Sequence, residues 1–386
     1  MKLKCRRSRA APIPAELLAN LLPADILNSM PDGVYLTDLD RRIVFWNRAA
    51  ERISSWSAAE VVGKSCFDNI LVHMDKDGRQ LCGEEFCPLH RAIVTGRASI
   101  EAVLVFAQSK TGHRVPVEVT VAPIHDARGA VVGGIEVFRD LSAAEEDLRC
   151  AQMIQQQTLA AELPVDFRYE FGIRYVPHEL IGGDFYRLEA VDGGNGYAGM
   201  VADVMGHGVS AALYTMQLRA LWDEARPRFS RPAAFLEQIN AGLHRLAHDS
   251  DYFATGLFFH LEAATGRLRY ANAGHPDPVL MRKDGSIRFL NEHGPGLGLF
   301  QPATFPESEV QLDAGDTLVA YTDGAVELFN AEGEEMQESG LAEAFRRSGI
   351  GAAGFQFERL EEILLKFSNG IRFPDDLTVL RVRRAD

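Results

Sequence analysis

The chain is poor in several things. It has five cysteines in 386 residues: Cys5, Cys66, Cys82, Cys87 and Cys150. An odd, sparse set in a long chain does not build a disulfide framework. No run reaches the roughly 18 apolar residues needed to span a bilayer. The basic start, MKLKCRRSRA, is followed by a stretch broken by Pro14, Glu16 and Asn20, so no signal peptide is read and a cytoplasmic location is expected. Positive charge is also short, with 40 Lys and Arg against 54 Asp and Glu, a formal net charge of -14. Such a surface repels phosphate backbones, which argues against nucleic acid as the main partner.

Apolar residues make up 46% of the chain, enough for packed cores. At about 100–200 residues per domain, the length predicts two or three domains. Four segments are expected: an extension over 1–21, a first domain over 22–140, a helical connector over 141–163 and a second domain over 164–386.

In the first domain GVYLTD (33–38) and IVFW (43–46) read as strands. Asn47 is a favoured N-cap for the helical NRAAERISSW. A helix over 90–94 stops at Gly96, and strand-like runs follow at 100–107, 113–122 and 131–138. Val115, Val117, Val119 and Val121 alternate with other residues, the period of a strand with one buried face. Pro116 places that part of the strand at an edge or bulge. The ordered words DGVYLTDLDRRIVFWNRAAERI, EVVGK and GGIEVFRDLS resemble a PAS sensor domain. That resemblance implies a five-stranded antiparallel sheet with helices, and a sensor of a small molecule or a protein.

Cys66, His73, Cys82, Cys87 and His90 crowd one segment of this domain. Thiolate and imidazole donors suit zinc, iron–sulfur or haem chemistry. The spacing of four residues between Cys82 and Cys87 is looser than a zinc knuckle, and ordinary buried thiols with surface histidines are the plainer reading. A reversible Cys82–Cys87 pairing lies between the two. A PAS ligand or metal at Cys66, Cys82 and Cys87 is therefore left open.

The connector LSAAEEDLRCAQMIQQQTLAAEL has no Gly or Pro and is predicted helical. It serves either as a spacer or as a signalling helix paired in a homodimer.

The second domain mixes strand-like runs (169–175, 197–204, 253–262, 267–271, 278–282, 316–321, 377–382) with helices over 209–226, 232–248 and 358–367. This is an α+β pattern. Four acidic words stand at strand ends: GGDF with Asp184, ADVMGHG with Asp203, YTDG with Asp323, and PDDLT with Asp375 and Asp376. Carboxylates brought to one place repel each other, and a hard divalent ion removes the penalty. Two such ions bind and deprotonate a bridging water, which then attacks a phosphate ester.

Together with ATGLFFHLEAATGRLRYANAGHP, GLGLF and GDTLVAYTDGAVELFN, these words resemble the SpoIIE/RsbU branch of the PPM metal-dependent serine/threonine phosphatases, over nearly all of 155–384. The resemblance implies an α/β/β/α sandwich and Mn²⁺ or Mg²⁺, with two ions. Carried over, Asp184, Asp203, Asp323 and Asp375 are the metal carboxylates and catalytic residues. The Val204 carbonyl is the backbone ligand, and Asp376 is the alternative to Asp375. His207 is given a structural role ahead of acid–base chemistry, Asn272 and His275 loop support ahead of substrate contact, and Arg174 a surface role ahead of gripping phosphate. The implied substrate is phosphoserine or phosphothreonine on a regulatory protein, typically a STAS-type anti-sigma-factor antagonist acting by partner switching. Two rivals are kept: a noncatalytic scaffold, and a diguanylate cyclase suggested by Gly182-Gly183-Asp184. The cyclase is the weaker rival, because no Glu follows the Asp.

Overall fold

The computed structural model describes residues 23–386, apart from 77, 84–85, 161, 247–251 and 371. The 1–21 extension and Cys5 lie outside the described residues. The chain divides into two units, 1–147 and 148–386.

The first unit holds α1 (Pro23–Asn28), β1 (Gly33–Asp38), β2 (Ile43–Trp46), α2 (Arg48–Ser54), α3 (Ala58–Val61), α4 (Pro88–Thr95), β3 (Val103–Gln108), β4 (Arg114–His125) and β5 (Val131–Asp140). The strands form one antiparallel sheet in the order β2-β1-β5-β4-β3. Asn47 caps α2 by accepting the Ala50 N–H at 2.8 Å, and its amide also donates to Leu27 and Asp32 carbonyls. Gly96 ends α4 in the left-handed region. Alternation along β4 buries Val117, Val119 and Val121 against Tyr35, Trp46, Leu89 and Phe138. β4 as a whole is interior, but Pro116 stands just beyond the β5 ladder, which begins at Val117 opposite Asp140, so at Pro116 the strand pairs with β3 alone, opposite Phe106.

Helix α5 (Ser142–Leu159) follows, shorter than the predicted connector. The second unit then runs β6 (Tyr169–Val176), β7 (Asp184–Val191), β8 (Gly196–Val204), α6 (Val209–Ala225), α7 (Pro232–Leu246), β9 (Ala254–Glu262), β10 (Arg267–Ala273), β11 (Val279–Met281), β12 (Ile287–Phe289), β13 (Glu307–Gln311), β14 (Thr317–Tyr321), α8 (Gln337–Ser348), α9 (Phe357–Phe367) and β15 (Leu377–Arg384). Two antiparallel sheets result, β13-β10-β9-β8-β7 and β12-β11-β14-β15-β6. Their inner faces meet in one core, where Leu188, Val201, Leu257 and Phe259 pack with Leu280, Leu318, Leu380 and Val382. On the outer face of the first sheet, Trp222 of α6 and Phe235 of α7 pack on Phe185 and Phe258. On the outer face of the second, Phe345 of α8 and Leu360 and Leu364 of α9 pack with Val319 and Val379. The unit is thus an α/β/β/α sandwich.

β7, β12, β13 and α8 were not anticipated. β12 has three residues, too few to display a period. α8 carries Gly340 inside it, and is held instead by burying Leu341, Ala344 and Phe345.

Candidate active site

The aspartates come from the ends of strands in both sheets. Asp184 opens β7 and lies directly opposite Asp203, near the end of β8. Asp323 opens a short 3-10 turn after β14, and Asp375 and Asp376 immediately precede β15. Strand ends are the natural place for such groups. Strand pairing fixes the backbone at these positions, as at Asp203, which is paired on both sides by Asp184 and Thr255.

A cleft of about 530 Å³ is lined by Asp203, Val204, Asp323 and Asp375, with His178, Glu179, Met205, His207, Phe253 and Thr255 around them. Asp184 lies behind it, 1% exposed. Its Oδ2 accepts from Thr322 Oγ1 at 2.9 Å and Thr378 Oγ1 at 2.6 Å. Its Oδ1 is buried with no hydrogen-bond partner.

Asp376 is used differently. Its Oδ1 accepts the His178 N–H at 2.7 Å and its Oδ2 the Gly183 N–H at 2.6 Å. Both oxygens are spent on backbone, whereas Asp375 is exposed and lines the cleft. Close packing around Asp376 explains two glycines. A Cβ at Gly182 would stand 2.2 Å from Asp376 Oδ2, and one at Gly324 2.1 Å from the Asp376 carbonyl.

Electrostatically the carboxylates oppose one another. Burial, then Asp323 and Asp375, pushes Asp203 up to about 7. Burial, then Glu327 and Asp375, pushes Asp323 up to about 6. Burial raises Asp184 strongly, and Asp203 adds to it. Among the described residues, no three His, Cys, Asp or Glu side chains already stand as a closed metal cluster. The donor set nevertheless fits a hard divalent cation. It is all oxygen, it repels itself, and it includes an orphaned buried carboxylate oxygen. Asp184, Asp203, Asp323, Asp375 and the Val204 carbonyl are the groups that could hold such an ion.

The remaining sequence candidates separate. His207 is exposed, with Glu179 3.7 Å away across the rim. Arg174 pairs with Glu361 and does not line the cleft. Among the described lining residues there is no Arg or Lys. Asn272 clamps the His275 backbone from both sides, accepting its N–H at 2.7 Å and donating to its carbonyl at 2.9 Å. The His275 ring in turn bonds Thr255 Oγ1 at 2.8 Å, and Thr255 stands opposite Asp203 across β8 and β9.

Sequence reading missed Thr255, Thr322, Thr378 and Gln155. A hydroxyl beside a motif carries no period or spacing signal. Gln155 of α5 donates to the Gly182 carbonyl at 2.7 Å and to Thr215 Oγ1 at 3.0 Å.

With this geometry in view, the chain's relatives are informative. A family model described as PAS fold matches residues 27–146. One described as stage II sporulation protein E matches residues 193–385, half of the chain. The phosphoserine phosphatase RsbP of Bacillus subtilis is 27% identical over 186 residues, 47% of this chain and 46% of RsbP. The phosphoserine phosphatase RsbU of the same organism is 24% identical over 241 residues, 62% of this chain and 70% of RsbU. This chain therefore spans less than half the length of RsbP. The structure of the SiaA-PP2C domain of Pseudomonas aeruginosa aligns over 64% of this chain and 100% of its own, with a TM-score of 0.54 and 24% identity, a likeness of fold. On these matches the chain belongs to the family of stage II sporulation protein E, with a PAS-fold unit preceding its α/β/β/α sandwich.

Proposed function

We propose that this protein is a metal-dependent phosphatase that hydrolyses phosphoserine or phosphothreonine on a regulatory protein. The observation that carries the reading is the orphaned, buried Oδ1 of Asp184 behind a cleft onto which Asp203, Asp323 and Asp375 converge. The names of the relatives RsbP and RsbU as phosphoserine phosphatases support it.

In this reading Asp184, Asp203, Asp323, Asp375 and the Val204 carbonyl hold Mn²⁺ or Mg²⁺, two ions in all, and Asp375 rather than Asp376 is the last ligand. Bound, such ions neutralise the carboxylates and lower the pKa of a coordinated water to make a nucleophile. The protein's own groups supply position. Thr322 and Thr378 hold Asp184 by one oxygen and leave the other free. The His178 and Gly183 N–H groups pin Asp376 and so fix the chain beside Asp375. Strand pairing sets Asp184 beside Asp203. The cleft offers a phosphate no permanently charged side-chain cation among its described lining residues, so its affinity for phosphate depends on metal loading.

The proposed substrate is a STAS-type anti-sigma-factor antagonist, with the PAS unit regulating activity through α5. A homodimer through the PAS unit and α5 belongs to the same reading. It is supported by Met153 and Ile154, which α5 leaves 56% and 52% exposed. The test is hydrolysis of p-nitrophenyl phosphate and of a phosphoserine STAS protein by the full chain, with and without Mn²⁺. Mn²⁺-dependent turnover of both is expected. Inactivity of the full chain and of residues 155–386 with Mn²⁺ would overturn the reading and favour a noncatalytic scaffold.

A further inference from the structure

The PAS unit contains a second group of ligand-type side chains, separate from the aspartate cleft. Cys66, His73, Cys82 and Cys87 belong to the segment between α3 and α4, and Glu136 comes from β5. Cys66, His73, Cys87 and Glu136 are buried, and Cys82 is half-buried. They share one neighbourhood: Cys66 and Cys87 pack in the same core, and the His73 backbone N–H reaches Cys82 Sγ. Cys66 lies in the field of Glu136, Cys87 and Cys82, and Cys82 in that of Cys87 and Glu136.

Two features mark this group. His73 Nε2 stands 3.5 Å from Glu136 Oε1, and neither atom has a hydrogen-bond partner although both side chains are more than nine-tenths buried. Orphaned polar atoms in a core cost about 1–3 kcal/mol each, and a native structure keeps few of them. In addition, the His73 backbone N–H donates to Cys82 Sγ at 3.2 Å, which ties the histidine to that sulfur.

We propose that Cys66, His73, Cys82 and Cys87 form a binding site for one thiolate-preferring transition-metal ion, zinc or ferrous iron, with Glu136 orienting the His73 ring. Three sulfurs and one imidazole match the tetrahedral preference of zinc and exclude the hard ions suited to the aspartates. A carboxylate behind a ligating imidazole is the common means of fixing its ring. Three thiolates and a divalent ion leave one negative charge, and Arg41 stands ready to offset it. Its guanidinium bonds the Gly83 carbonyl and lies in the field of Cys66 and Cys82.

Between α3 and α4 the described backbone is held by turns and isolated bridges, such as Met74 with Phe106 and with Gln80. As the side chains stand, no three described donors are at coordinating separation, so closure requires rotation of side chains, above all the half-buried Cys82. Each S–H bond is exchanged for a metal–sulfur bond and its proton passes to solvent, so no oxidant is needed.

The test is elemental analysis of the full chain purified anaerobically, with about one zinc or iron per chain expected. A second measurement is Co²⁺ titration of the chelator-treated, reduced chain, read by thiolate-to-cobalt charge-transfer absorption. Cys82→Ser and Cys87→Ser should lower affinity at least about tenfold, and Glu136→Gln about 10–100-fold. Cys150→Ser and Asp203→Asn should leave the signal unchanged. The proposal is overturned if the wild-type chain holds neither metal and shows no charge-transfer band, or if Cys82→Ser and Cys87→Ser bind as the wild type does. A loss of two protons in intact mass without metal, the mark of a disulfide, would also overturn it.

Discussion

The side-chain amide of Gln155 grips the Gly182 peptide from both ends. Its Nε2 donates to the Gly182 carbonyl at 2.7 Å, and its Oε1 accepts the Gly182 N–H at 3.3 Å. Gly182 is two residues from Asp184, and the same amide reaches Thr215 on α6. α5 is thereby bonded to the turn that delivers the most buried aspartate. Gln155→Leu keeps the volume and removes all three bonds, at a cost of about 1–3 kcal/mol. The Mn²⁺ concentration for half-maximal turnover should rise about tenfold, as for other groups that orient ligands. An unchanged Mn²⁺ dependence would show that Gln155 only packs.

Removing an aspartate should have opposite effects on activity and on stability without metal. Asp203→Asn and Asp323→Asn are each expected to abolish turnover, losing at least about three orders of magnitude. Burial and neighbouring carboxylates hold both groups above the usual range, so each ionised form strains the fold at neutral pH. In chelator each variant should therefore melt above the wild type, by about 2–4 °C for every kcal/mol relieved. Differential scanning calorimetry with and without Mn²⁺ reads both signs.

His275 sets a pH dependence. Burial pushes its imidazole down to about 3, against the backbone carbonyl of Tyr321. Its folded value lies below its unfolded value near 6.5. Its contribution is thus present above pH 6.5 and is lost as the pH falls toward 3, with a slope of up to about 1.4 kcal/mol per unit. His275→Gln does not titrate there. The destabilisation it causes at pH 7 should shrink steadily by pH 4.5 in denaturant titrations, and a constant difference would contradict the assignment.

Arg174 should prove dispensable to chemistry. Its pair with Glu361 is partly exposed, with Arg174 40% accessible, so the pair contributes about 1 kcal/mol or less. Arg174→Ala is expected to keep kcat and KM within about twofold. A large rise in KM would return it to the phosphate site.

Much of the fold was legible because its signals are local. The alternation of Val115–Val121, the Asn47 cap and the Gly96 stop act within a few residues of themselves. α8 and β12 were not legible, because packing on the second sheet holds them rather than propensity. The aspartate words were visible as strand-end acids, but the roles of Asp375 and Asp376 were not separable in sequence. They are adjacent and chemically identical. Only the approach of the His178 and Gly183 N–H groups, from distant parts of the chain, distinguishes them.

The sequence by itself determined that the chain is acidic, poor in cysteine and without a long apolar run. It also determined two successive α+β patterns, the second with acids at four strand ends. These are properties of composition and short period. Only the tertiary structure decided which polar atoms are left without partners. Asp184 Oδ1, His73 Nε2 and Glu136 Oε1 are orphans because elements far apart in sequence bury them together. The physical reason is desolvation. A donor or acceptor becomes a demand for a ligand only once the surrounding chain has excluded water from it.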